Sequence, residues 1–310
     1  MTVSLAPIAL FVYNRPRHTR KTLDALARDS QAGRSDLHIF SDAARTPADA
    51  GRVEEVRRII RSTTGFQRVR ILERSDNFGL SRSIIDGVSA LCHDQGRVIV
   101  MEDDLVVSPQ FLTFMNQALD RYRDEPRAMQ IAGSMFPVAD PDTLPQSFFS
   151  RLAASWGWAT WKRAWDCFQA DVGILFGEIE SRRLEHAFDI DGSYPYTSML
   201  RRQASGSIDS WAVRWYASMF LTGGLCLRPA RSLVHNIGFD GSGVHCGSTK
   251  AFDVQLSEDP VCVFPDRVEE CREAIEAIAV FFRSCEESSF MKVVNRAKAW
   301  LRRPSLNRQK

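Results

Sequence analysis

The sequence predicts an α/β fold, a mainly parallel sheet flanked by helices, and three observations carry that prediction. Four short apolar runs, Leu5 to Tyr13, Leu37 to Phe40, Val69 to Leu72 and Val98 to Met101, are each bounded by polar or turn residues. Between them, apolar residues recur at helical spacing over about 17–31, 48–63 and 80–94. The chain has 310 residues, 44% hydrophobic and 25% charged, enough to bury a sizeable core in one large domain or two small ones.

The first run opens the sheet. It is apolar without alternation, as expected of a strand covered on both faces. It lacks the basic start and small-residue cleavage site of a signal peptide, and Pro7 interrupts it. Strands alternating with helices of this length imply parallel pairing through right-handed crossovers. All four strand C-termini then meet at one edge of the sheet, where ligands of such folds bind. The residues there are Asn14-Arg15-Pro16, Ser41-Asp42, Ser75-Asp76-Asn77 and Glu102-Asp103-Asp104. Loops are polar in most proteins, so the first three say little alone. The fourth is different.

From Arg97 to Val107, three consecutive acids stand between two apolar runs. Burying one uncompensated carboxylate costs several kcal/mol, so the triplet needs a cation or exposure. A hard divalent ion, Mg²⁺ or Mn²⁺, meets that need with one or two carboxylates plus a substrate's phosphate oxygens. The alternative is an acidic turn capping a helix that begins near Pro109, for which Ser108-Pro109 is a good start.

Other features exclude whole classes. Lys plus Arg number 40 against 38 acids, a balance of +2 that gives no electrostatic case for a nucleic-acid partner. Seven cysteines without a CxxC pair fit neither a disulfide framework nor a closed zinc site, and point to a reducing cytoplasm. No run approaches the length of a transmembrane helix. A GxxxxGK[ST] loop and a GxGxxG after the first strand are both missing, which removes the usual support for P-loop and dinucleotide-binding readings.

The second half is read more coarsely. Ala139 to Phe149 is loop-like, broken by Pro141 and Pro145. Trp161 and Trp165 stand four apart, the spacing of a helical packing face. Asp209 sits at the N-terminal edge of an apolar helix, a capping position where unpaired amides stabilise a carboxylate. Val268 to Phe282 has helical spacing and reads as core. Gly238 to His245 is glycine-rich, a candidate lid over a bound ligand. From Phe290 onward, Val293, Val294, Ala297, Trp300 and Leu301 share a helical stripe beside Lys292, Arg296, Lys298, Arg302 and Arg303. That is the pattern of an interfacial helix, covered by anionic lipid, by the body of the protein or by a partner.

Several segments in fixed order carry a family resemblance: PIALFVYNRP from Pro7, FSDAA from Phe40, NFGLSRSIIDGV from Asn77, VIVMEDDLVVSPQFL from Val98, WGWATWKRAW from Trp156, IDSW from Ile208, and GLCLRPARS through GSGVH from Gly224. The chain resembles nucleotide-sugar glycosyltransferases of the GT-A fold, in particular bacterial relatives of the N-acetylglucosaminyltransferase that initiates hybrid N-glycans. The resemblance implies a GT-A (Rossmann-like) mixed, mainly parallel sheet with a C-terminal helical extension. Residues 1–285 would form the glycosyltransferase domain, with 1–108 its nucleotide-sugar-binding half and 109–285 its acceptor-binding half. Residues 286–310 would form the basic amphipathic tail.

By the same resemblance Arg15 meets the base or diphosphate and Asp42 the base, while Arg82 falls near a nucleotide contact but differs from the family in residue type. Asp104 is the direct Mn²⁺ or Mg²⁺ ligand, Asp103 bonds the ribose hydroxyls and Glu102 holds the surrounding network. Trp158 lines the sugar and acceptor site, and His245 approaches the metal or phosphate. Asp209 is the general base, with Asp240 its competitor. The activity implied is metal-dependent, inverting transfer from a nucleotide-sugar to a glycan or lipid-linked saccharide of surface polysaccharide biosynthesis. It would take place in the cytoplasm, with peripheral contact to the inner face of the membrane through the C-terminal helix. Two other readings stand beside it, a sugar-phosphate nucleotidyltransferase and a catalytically degenerate module that binds glycan or partners.

Overall fold

The computed structural model describes residues 5–242 and 248–285. Strands β1 (Ile8–Val12), β2 (Asp36–Ser41), β3 (Arg68–Glu73) and β4 (Arg97–Glu102) pair in parallel in the spatial order β3-β2-β1-β4. The crossovers are α1 (Pro16–Ala27), α2 (Ala50–Arg61) and α3 (Leu80–Gln95). Each expected strand and helix of this half is present, with ends shifted by a few residues. The outermost strand, β3, reads RVRILE and exposes Arg68 and Arg70 along with Leu72, two charges on an edge that discourage further pairing.

The sheet then continues as a mixed one. After β4 come β5 (Leu105–Val107), α4 (Phe111–Arg121), β6 (Ala128–Ala132), β7 (Ser147–Ser150), β8 (Trp158–Trp161), α5 (Lys162–Trp165), α6 (Val172–Ser181), α7 (Glu185–Phe188), α8 (Tyr196–Ala204), α9 (Trp211–Leu221), β9 (Leu225–Pro229) and β10 (Val234–Asn236). Beyond β4 lie β8, β6, β9 and β7, to give a sheet of eight strands among the described residues. β8 is antiparallel to both β4 and β6, and β7 is antiparallel to β9. Residues 272–285 add a further helical stretch. The mainly parallel, helix-flanked sheet is therefore the observed fold. Among the described residues no helix is long and apolar enough to cross a membrane.

Two local expectations change. The stretch read as loop ends in a strand, because Phe148 and Phe149 are buried and pair with β9 at the sheet edge. Trp161 does not share a helix face with Trp165. It closes β8, where its indole N–H donates to the Leu119 carbonyl, and the helix that follows is only four residues long.

The core lies on both faces of the sheet, divided by strand alternation. Ile8, Leu10 and Val12 of β1 pack with Leu26, Ile60 and Met115 on one face. Ala9 and Phe11 pack with Ile84, Val88 and residues of α9 on the other. A tryptophan cluster anchors the second face. Trp158 stacks on Trp211 with centroids 5.1 Å apart, and Trp165 lies 5.0 Å from Trp215.

A guanidinium is built into this core. Arg228 of β9 is 1% exposed, and its guanidinium donates to the carbonyls of Ser134, Leu152 and Ala153 and to the Ser150 hydroxyl. It thereby pins the chain between β6 and β8 to the sheet. Arg228→Met is expected to destabilise the fold by at least about 3 kcal/mol, since each buried carbonyl left unpaired costs about 1–3 kcal/mol. The urea midpoint reads this directly, and a loss below about 1 kcal/mol would show that those carbonyls find other donors.

Candidate functional site

The end of β1 sets the position of Arg15. Pro16 is the first residue of α1 and lacks an N–H to waste there, so the helix starts at once and leaves Arg15 at the sheet edge. The Thr19 amide and hydroxyl both donate to the Arg15 carbonyl at 2.9 Å. Its guanidinium turns toward the end of β4, where a single Nη2 donates to Asp103 Oδ1 and to Asp104 Oδ2, the latter at 2.9 Å. The Tyr13 amide also donates to Asp103 Oδ2 at 3.3 Å, and Thr22 Oγ1 to the Asp103 carbonyl at 2.9 Å.

The electrostatics follow from this crowding. Burial, then the charges of Asp104 and Asp103, push the half-buried Glu102 carboxyl well above the usual range, with Arg15 pulling the other way. Burial also raises Asp103, against the opposing pull of Arg15. Burial works to lower the Arg15 guanidinium, but Asp103 and Asp104 outweigh it and raise it further. Three carboxyl groups thus share one cation.

Asp104 is framed from the other half of the chain. β5 pairs antiparallel with β10, and the Ile237 amide continues that ladder onto the Asp104 carbonyl at 2.8 Å. The next residue, Gly238, lies so close that a Cβ there would come within 2.1 Å of Asp104 Oδ2. Only glycine lets the backbone pass. Because β5 intervenes, the acids do not cap the following helix, whose N-cap is Gln110; Ser108 shapes the turn before it, its hydroxyl accepting from the Gln110 amide and its carbonyl from the Phe111 amide, both at 3.1 Å.

Asp42 is buried and fully engaged. Its carboxylate accepts the amides of Phe78 at 2.8 Å, Gly79 at 2.9 Å and Ala43 at 3.0 Å. Asn77 Nδ2 adds a bond to the Ala43 carbonyl at 2.7 Å. Asp42 therefore fixes the loop that starts α3. Arg82 is exposed, with its guanidinium 3.9 Å from the Phe78 ring centroid, and Arg74 approaches the same ring at 3.8 Å.

Asp209 reaches this edge through α9. Ser210, not Asp209, is the N-cap, its hydroxyl accepting from the Val213 amide. The Asp209 side chain is 71% exposed and pairs with Arg214 at 3.1 Å. The same Arg214 Nη2 donates to the Ser81 hydroxyl of α3 at 2.6 Å, so the acid is tied to the nearer half of the sheet. Asp240 is also near the cluster, two residues past Gly238, and pairs with His18 at 3.1 Å. Hydrogen bonds from the Ser242 hydroxyl and amide, with a smaller part from His18, hold its carboxyl down to about 2. His245 and the tail 286–310 lie outside the described residues, as do the neighbours of His245 in the expected lid.

Trp158 is not at the cleft. It is 0% exposed, in the tryptophan cluster of the core. Trp156 takes the accessible position instead, since Gly157 at φ 57° bends the chain between them. A Cβ at Gly157 would also strike Val234 Cγ2 at 2.7 Å. Trp156 lines a cavity of about 440 Å³.

The structure thus brings Arg15, Glu102, Asp103, Asp104 and the Asp42-held loop to one edge, with Asp209 tied nearby. Sequence reasoning did not single out Arg214, Trp156, His18 or the close approach of Gly238. Arg214 had no clear signal, since it stands five residues beyond Asp209, outside the i,i+3 and i,i+4 spacings of helical pairs. The Gly238 contact had none, because it joins residues far apart in the chain.

No family model and no curated protein sequence matches the chain. Among solved structures, a mannosyltransferase, PcManGT from Pyrobaculum calidifontis in complex with GDP-Man and Mn²⁺, is similar at 12% identity over 71% of this chain and 73% of its own, with a TM-score of 0.39. S. aureus TarS is similar at 11% identity and a TM-score of 0.29, over 41% of this chain and 21% of its own.

The Gly238 contact yields a paired test. Gly238→Ala is expected to destabilise by about 1–3 kcal/mol through overpacking against Asp104. Gly177→Ala in α6, where nothing lies within 4 Å of the added methyl, is expected to stabilise by up to about 1 kcal/mol through helix propensity. Chemical unfolding of the two variants reads the opposite signs.

Proposed function

We propose that the chain is a GT-A-type, metal-dependent, inverting glycosyltransferase that moves a sugar from a nucleotide-sugar to a hydroxyl of a glycan or lipid-linked saccharide. The observation that carries the proposal is the meeting of Arg15 with Asp103 and Asp104 at the C-terminal edge of the parallel strands. That is the edge where α/β folds bind nucleotides, and the pairing of a guanidinium with acids suits a diphosphate, which needs both a cationic fork and a bound cation.

The acidic cluster fits a divalent ion in its chemistry. Its donors are all oxygen, and one guanidinium offsets three carboxyl groups only in part. Among the described residues no three His, Cys, Asp or Glu side chains hold a metal by themselves; Mg²⁺ and Mn²⁺ commonly bind through one or two carboxylates and fill the remaining positions with water and phosphate oxygens. Asp104 would hold the ion, with Asp103 and Glu102 behind it. A bound Mg²⁺ or Mn²⁺ supplies positive charge that stabilises a departing diphosphate.

The chain's own residues supply the rest. The Asp42-held loop and the start of α3 seat the nucleotide, with Arg82 and Phe78 beside it. Arg15 donates to the diphosphate oxygens as their charge grows. Asp209 accepts the proton of the acceptor hydroxyl while that oxygen bonds to the anomeric carbon and the bond to the diphosphate oxygen breaks, so configuration inverts in one displacement. Its exposure suits a base that must meet an incoming substrate; one oxygen pairs with Arg214 and neither is spent on capping the helix. Arg214 orients it.

With Mn²⁺ and a panel of nucleotide-sugars, the purified protein is expected to release nucleoside diphosphate; release of pyrophosphate would instead indicate a nucleotidyltransferase. Asp104→Ala is expected to lose metal-dependent donor binding by calorimetry while circular dichroism stays unchanged. Asp209→Asn is expected to keep donor affinity and lose transfer by about 10²- to 10⁴-fold, the usual contribution of a general base. Retained turnover would remove Asp209 from that role.

A further inference from the structure

The proposed chemistry does not use the 440 Å³ cavity beside it, whose volume is within the range of about 300–1,000 Å³ usual for small-molecule sites. Its place in the fold is telling. Phe239 on its wall follows Gly238, which lies against Asp104. Ala212 and Val213, which also line it, belong to the first turn of α9, just after Asp209. Its wall thus includes residues that follow in the chain both the glycine resting on Asp104 and the proposed base.

The lining has a definite chemistry. Phe239 and Phe252 stack at 5.1 Å, and both form T-shaped pairs with Trp156 at 5.5 and 5.6 Å. Tyr194 and Tyr196 lie 4.6 Å apart on the same cavity. Both are partly exposed, and neither hydroxyl has a hydrogen-bond partner among the described residues, so each is open to a ligand in the cavity. Burial pushes both phenols up, so each remains a neutral hydroxyl able to donate. Aromatic faces with unused hydroxyls match a ring that is apolar on its faces and hydroxylated at its rim, which is a sugar.

Arg228 adds a charge. It lines the cavity, and its hydrogen-bond partners are three backbone carbonyls and one hydroxyl, with no carboxylate among them. Its positive charge is therefore offset by dipoles alone, and in a site of low dielectric that field favours an anion.

We propose that this cavity binds a sugar ring of the acceptor bearing a carboxylate, a uronic-acid-type pyranose, packed on the aromatic rings, bonded to Tyr194 and Tyr196 and held by the field of Arg228. The word acceptor rests on the glycosyltransferase reading; the ligand class rests on the cavity alone.

The test uses the full chain and four probes, the methyl glycosides of glucuronic acid, galacturonic acid, glucose and galactose, titrated by saturation-transfer NMR and tryptophan fluorescence. At least one uronide is expected to bind about tenfold or more tightly than its neutral counterpart. Tyr194→Phe with Tyr196→Phe, which removes only the hydroxyls, is expected to weaken that binding by about tenfold with the fold intact by circular dichroism. Equal affinity for charged and neutral probes, binding unaffected by the double variant, or no binding of any probe would overturn the proposal. Nucleoside diphosphate with Mn²⁺ is titrated into the same preparation. If it binds while the uronides do not, the cavity inference alone fails. If the uronides bind and it does not, the ligand class stands and the glycosyltransferase reading falls.

Discussion

The arrangement of the site depends on one constraint: three adjacent carboxyl groups end a central strand where water is scarce. Such a cluster is costly unless positive charge is brought to it. Among the described residues Arg15 brings the one guanidinium bonded to it, and one nitrogen serves both Asp103 and Asp104. The turn at Pro16, the Thr19 bonds to the Arg15 carbonyl and the Tyr13 amide on Asp103 all hold that one contact in register. The charge left over is what makes the edge receptive to a cation and a phosphate.

The second half of the chain joins the first through the pairing of β4 with β8, and two further ties bear on the site. The β5–β10 ribbon carries Gly238 onto Asp104, and Arg214 joins α9 to the start of α3. Each tie depends on a single residue of a particular type. Glycine is needed where the backbone grazes a carboxylate. Arginine is needed where one side chain must reach both Asp209 and Ser81, which its several donors allow.

Aromatic residues divide between two tasks in the same short motif. Trp158, Trp165, Trp211 and Trp215 fill the core beneath the sheet. Trp156, two residues before Trp158, turns outward to the cavity because Gly157 adopts a positive φ. In an unbroken strand the two indoles would share one face. A tryptophan-rich motif therefore marks the region of a ligand surface without telling which ring is on it.

The parallel half of the sheet was legible in the sequence because its signals are local. Unbroken apolar runs, helical spacing between them and polar residues at each strand end are readable within a dozen residues, and the chirality of crossovers then forces the four loops to one edge. Arg15, Glu102, Asp103 and Asp104 were legible for the same reason. Tertiary structure alone decided what depends on partners distant in the chain: that Trp158 is core and Trp156 is not, that Asp42 is consumed by the amides of Phe78 and Gly79, that Ser210 caps α9 in place of Asp209, and that Gly238 rests on Asp104. Each is a contest for a hydrogen bond or for space between segments that meet only on folding, and periodicity along the chain carries no record of who the neighbour across the fold is.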